Sequence, residues 1–160
     1  MGRFRDADDS VLEIVRKVRE NNFPELQGSE IKVLLDQKKR MSGGKIVLGR
    51  MKKTNELERH LSSSETGSDE GYDYIMYLDE LAWDIANDEE REKLVRHELR
   101  HCSVDIESNT NPYKIRGHDI EDFEEEIRLN VDDPGWGNRL AERVVLEYEA
   151  EAERNRGRRN

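Results

Sequence analysis

Residues 97 to 101 read His97-Glu98-Leu99-Arg100-His101, two histidines four apart with a glutamate between them. On a helix, positions four apart lie one above the other, so both imidazoles address one point in space. Imidazole is a borderline donor that suits Zn²⁺, and a catalytic zinc keeps three protein ligands and one open position. Glu98 sits next to His97 around the helix, placed to take a proton from a water as that water attacks a carbonyl. His97 and His101 are therefore candidate metal ligands, and Glu98 is the candidate catalytic base. The competing reading is a charged surface helix that holds two histidines by accident. A third ligand at sensible spacing separates the two.

Two residues compete for that place. His118 lies 17 residues after His101, just past Gly117 and at the expected start of the next helix. Glu121 lies 20 residues after His101, near the spacing at which thermolysin-like enzymes take a glutamate from a following helix. A chain of four histidines that places three of them this way favours His118. The loser is a candidate to orient a ligand. Asp105 and Asp119 are candidates to hold a ligand imidazole through its second nitrogen, against the bland reading of acids on a solvated face. His60, in a polar stretch, reads as a bystander. The longer H-E-x-x-H-x-x-G-x-x-H pattern is absent, since Val104 and Glu107 stand where it needs glycine and histidine.

The elements that must position these groups are legible in outline. "NDEEREKLVRHELRHCSVD" reads as a helix capped by Asn87 or Asp88, with Glu89 and Glu90 at the positive end of its dipole. Before it, "YDYIMYL" alternates as a strand, and a short helical segment follows from Asp79. Upstream, Ser10 is a candidate cap for a helix with Val11, Ile14, Val15 and Val18 on one face, running to about Asn21. "EIKVLLDQ" and "KIVLGRM" read as strands separated by the turn "MSGG". Residues 52–71 read as a polar loop with a helical turn near "NELERHL". "ESNTNPYKIRG" reads as an irregular loop and "HDIEDFEEEIRLNV" as an acidic helix ended by "DPGWG". "NRLAERVVLEYEAEAER" closes the chain as a last helix. Trp83, Trp136 and Cys102 read as core.

Composition bounds what such a domain does. The 160 residues are 34% hydrophobic and 40% charged, with a mean hydropathy of −1.01, so one domain with a small core is expected over residues 1–150. A net charge of −10 argues against general affinity for nucleic acid or an anionic membrane face. The exception is a basic tail at 151–160, expected to be disordered. One cysteine rules out an intramolecular disulfide and a Cys-rich zinc ribbon. No run is long enough to cross a bilayer, and "MGRFRDADDS" lacks a signal-peptide core, so the compartment reads as cytoplasmic.

The order "YDYIMYLDELAWDIANDEEREKLVRHELRHC", a loop, then "YKIRGHDIEDF" resembles the phage metallopeptidase domain family, over roughly residues 31–131. That resemblance implies an α+β, zincin-like domain: a short mixed sheet of three or four strands packed on the H-E-x-x-H helix and flanking helices. It also implies His97, His101 and His118 as ligands of one Zn²⁺, Glu98 as general base, and a protein or peptide substrate. More distantly the arrangement is similar to SprT-type proteases, but the ribbon cysteines are missing and the acidity fits DNA poorly. Zincins generally lay substrate along an edge strand beside the active-site helix. "YDYIMYL" is then the candidate platform, with Tyr74 and Met76 as contacts, against ordinary core packing. Two other classes of function stay open: a metal-dependent hydrolase of a non-peptide amide or ester, and a zinc-binding regulatory module without activity.

Overall fold

The computed structural model describes residues 2–118 and 123–159. β1 (Phe4–Asp6) leads into α1 (Asp9–Asn22), whose Val11, Val15 and Val18 fall at helical spacing and are buried. The cap is Asp8 rather than Ser10: its carboxylate accepts from the Val11 N–H at 3.2 Å. β2 (Ile31–Asp36) follows a 3-10 turn at Pro24–Leu26. The expected single strand "KIVLGRM" divides instead. β3 (Met41–Ser42) and β4 (Lys45–Ile46) form a tight hairpin, and β5 (Gly49–Lys53) starts afresh. Gly43 and Gly44 turn that hairpin at φ 57° and 77°, values that need glycine. α2 (Glu56–Ser62), closed by an Asn55/Glu58 capping box, fills the middle of the expected loop.

β6 (Tyr74–Asp79) comes next, then α3 (Glu80–Ile85) and α4 (Asp88–Arg100), the helix that carries His97 and Glu98. The four-stranded sheet has the order β1-β2-β6-β5, with β2 and β6 parallel and the outer pairs antiparallel. The α+β reading with a mixed sheet therefore holds. The platform assignment does not. β6 is an inner strand, hydrogen-bonded on both sides, and Tyr74 and Met76 are fully buried. They are core residues, and no peptide can add to a strand whose backbone groups are already paired. β5, bonded among the described residues to β6 alone, is the edge nearer α4.

β7 (Cys102–Val104), expected as the end of the helix, and β8 (Tyr113–Ile115), expected in an irregular loop, instead pair antiparallel. The Tyr74 hydroxyl pins this hairpin to the sheet, 2.8 Å from the Lys114 carbonyl and 3.1 Å from that of Ser103. α5 (Glu124–Leu129) and α6 (Trp136–Gly157) complete the chain. The basic tail expected to be disordered continues α6 to Gly157, with Arg154 reaching Glu147 at 2.9 Å. Its Ala, Glu and Arg residues are strong helix formers, which is enough to extend a helix already anchored by its first turns.

α4 holds its place by local and long-range bonds. Asn87 accepts from the Glu90 N–H at 2.8 Å, and Glu90 accepts from the Asn87 N–H at 3.1 Å. Leu94, Val95 and Leu99 bury its inner face against α1 and the sheet. Arg143 of α6 donates to Glu90 at 2.7 Å. Among the described residues, no helix is long and apolar enough to cross a membrane.

Candidate metal centre

His97 stands on the last full turn of α4, and His101 is the residue that closes it. His118 reaches them from the exit of β8 rather than from a helix, because α5 begins only at Glu124. Arg116 makes this delivery. Its backbone N–H donates to the His101 carbonyl at 2.7 Å, and its Nε donates to the Arg100 carbonyl at 2.8 Å. These bonds satisfy carbonyls that a helix C-terminus leaves unpaired. In return, the Arg116 carbonyl lies 2.8 Å from His101 Nδ1. A carbonyl only accepts, so Nδ1 carries the proton and Nε2 presents its lone pair.

The three imidazoles converge. His97 Nε2 and His118 Nε2 are 2.9 Å apart, and one ring nitrogen from each histidine falls within 4.8 Å of the others. Metal–nitrogen bonds of about 2.0–2.1 Å in a tetrahedron put ligand nitrogens roughly 3.3 Å apart, inside the range these side chains span. Burial holds the His101 imidazole below the ordinary histidine value, which keeps it neutral and able to ligate. The donor set thus fits a divalent metal. His60 lies on α2, outside the cluster.

Phe123 lies beside all three rings, its centroid 5.2 Å from that of His97, 4.8 Å from His101 and 5.0 Å from His118. It is fully buried, so one side of the triad is an apolar wall. The guanidinium of Arg116 covers the same ring at 4.7 Å. Sequence reasoning missed Phe123. The available signal was one aromatic residue inside the acid run "EDFEEE". Behind it, the fully buried Glu126 of α5 accepts from Arg96 Nε at 2.7 Å and from Arg100 Nε at 3.0 Å. Those arginines flank His97 and His101, so α5 is clamped to the turn that carries the two histidines.

Glu98 is 4% exposed, and its Oε2 has no hydrogen-bond partner among the described residues. Desolvation pushes its carboxyl up to about 7, against the opposing charges of His97 and Arg50. It lines one cleft together with His97. Gly49 of β5 packs directly on it: a Cβ there would stand 3.2 Å from Glu98 Cγ and Oε1 and 3.1 Å from Leu78 Cδ2.

The residues expected to orient ligands stand differently. Asp105 is exposed and accepts from the Glu107 N–H at 3.1 Å, while the second nitrogen of His101 goes to the Arg116 carbonyl. A backbone acceptor just past β8 has taken the role assigned to an acid. Asp119 and Glu121 lie outside the described residues. Cys102 opens β7, buried, and burial drives its thiol far above the ordinary range.

A family model described as "Putative phage metallopeptidase" matches residues 3–150. No curated protein and no solved structure matches the chain.

Proposed function

The chain belongs to the putative phage metallopeptidase family, and from that membership we propose that it is a zinc-dependent peptidase with Glu98 as its general base. The observation that carries this reading is the pairing of a three-histidine cluster with a buried, unsatisfied carboxylate on the same helix. His97, His101 and His118 would hold the ion, and three neutral imidazoles favour zinc over the harder divalent cations. When bound, such an ion supplies Lewis acidity, polarising a carbonyl and bringing a water toward ionisation near neutral pH.

The chain's own groups do the rest. Glu98, poised near neutrality, takes one proton from the water whose oxygen attacks the scissile carbonyl carbon. It then returns that proton to the amide nitrogen as the C–N bond breaks, which regenerates the carboxylate. Phe123 excludes water from one side of the ligands, and Arg116 holds His101 in the ligating tautomer. The edge of β5 supports an extended peptide substrate, since its backbone runs beside Glu98 and, among the described residues, is bonded on one side only.

A peptide-library assay with the zinc-loaded protein and its Glu98→Gln variant tests the proposal. Wild type is expected to cleave, and the variant to lose about 10²- to 10⁴-fold in rate. No cleavage by the loaded wild type, or equal cleavage by both, overturns it.

A further inference from the structure

A cleft of about 1100 Å³ opens on His97 and Glu98. One wall is the β3–β4 hairpin and the segment leading to β5, with Ile46 and Leu48. The other is α6, with Ala141, Val145 and Leu146, and Trp136 at its first residue. Leu146 is 65% exposed and Met41, on the hairpin, 49% exposed, so large apolar side chains remain uncovered at the cleft. Leaving such surface bare next to a polar catalytic pair costs solvation that a ligand's apolar side chain would recover.

The charges in the cleft are lopsided. Glu142 and Glu149 line it from α6, and neither has an ion-pair partner among the described residues. Lys45 on the hairpin is the lysine among the lining residues. Glu142 and Glu149 are two turns apart on one helix face, about 10 Å along the axis. An extended chain covers that distance in about three residues.

Building on the peptidase reading, we propose that this cleft selects peptides with a large apolar side chain beside the scissile bond and a lysine or arginine elsewhere in the bound segment. Leu48, Trp136, Ala141 and Val145 receive the apolar group, and Glu142 and Glu149 receive the cation. The cleft is continuous with Glu98, so its occupant is the segment being cut rather than a separate partner.

The test measures binding, so that it does not depend on turnover. Fluorescence anisotropy follows labelled peptides on zinc-loaded Glu98→Gln protein, comparing Phe with Ala at the apolar position and Arg with Glu at the charged one. The Phe peptide is expected to bind about tenfold tighter or more than the Ala peptide. The Arg peptide should outbind the Glu peptide by severalfold, with the gap shrinking in salt. Ala141→Trp should erase the Phe preference by filling the cleft, and Leu146→Asp, at an exposed site, should weaken it without disturbing the fold. The double variant Glu142→Lys/Glu149→Lys should reverse the charge preference. Equal binding of the Phe and Ala peptides, or a preference that survives both Ala141→Trp and Leu146→Asp, overturns the proposal. Selective binding without cleavage by wild type would support the cleft assignment and sink the peptidase reading, whereas cleavage without selectivity would do the reverse.

Discussion

His101 Nδ1 lies 2.8 Å from the Arg116 carbonyl, and the Arg116 N–H returns a bond of 2.7 Å to the His101 carbonyl. This reciprocal pair joins the end of the H-E-x-x-H helix to the strand exit that carries His118. It sets the tautomer of one candidate ligand and holds the strand exit that carries another.

Zinc content should follow that geometry. His101→Ala and His118→Ala are each expected to lose stoichiometric zinc on dialysis, while Glu98→Gln keeps about one ion per chain, read by elemental analysis. Retention of zinc in His118→Ala with loss in Glu121→Ala would move the third ligand to Glu121.

Gly49 should prove intolerant of a side chain. A Cβ at 3.1–3.2 Å from Leu78 and the Glu98 carboxyl forces one of them to move. Gly49→Ala is expected to cost about 1–3 kcal/mol of stability. Because the displaced group includes Glu98, the proposed base, the rate constant should fall more than substrate affinity does. Steady-state kinetics beside a denaturant titration reads both, and an unchanged kcat would show that Glu98 has room to yield.

Glu126 is fully buried between Arg96 and Arg100. Glu126→Ala takes the carboxylate from two largely buried guanidiniums, leaving Arg96 only the Asn130 amide oxygen, and is expected to lower stability by about 3 kcal/mol. Urea unfolding measures it. Weaker zinc binding should accompany the loss, since α5 no longer anchors the ligand-bearing turn. Stability within error of wild type would refute the clamp.

Asp79 gives the fold a pH dependence of definite sign. Burial raises its carboxyl above the ordinary value, while the Tyr148 hydroxyl, donating at 2.6 Å, pulls the other way. A carboxyl with a raised folded pKa binds its proton more tightly folded than unfolded. It therefore favours folding at low pH, and that benefit is lost as pH climbs through the raised value. Tyr148→Phe removes a bond to the charged form and should cost about 1–2 kcal/mol at neutral pH. The deficit should shrink as Asp79 protonates. Thermal midpoints across the acid range, for both proteins, check this; a deficit that grows toward low pH contradicts it.

The chemistry of the centre was legible where it depends on near neighbours in the chain. Four-residue spacing puts His97 and His101 on one helical face, and the Asn87/Glu90 box is a contact three residues long. The grouping of His118 with His97 and His101 was expected from residue type and distance along the chain, with Glu121, which lies outside the described residues, as its rival. Which strand forms the edge did not follow. β5 and β6 both carry apolar residues, and only pairing with β2 places β6 inside the sheet and β5 at its rim. Nor could the partner of His101 be read, because a backbone carbonyl carries no side-chain signature, and Arg116 reaches it through the register of two three-residue strands. The perturbed Glu98 carboxyl belongs to the same class: its desolvation comes from burial, with Gly49, distant in the chain, packed directly against it. Residue type and helical period determined which groups could act. The packing of strand edges and loop backbones, set by contacts far apart in sequence, decided how they are held.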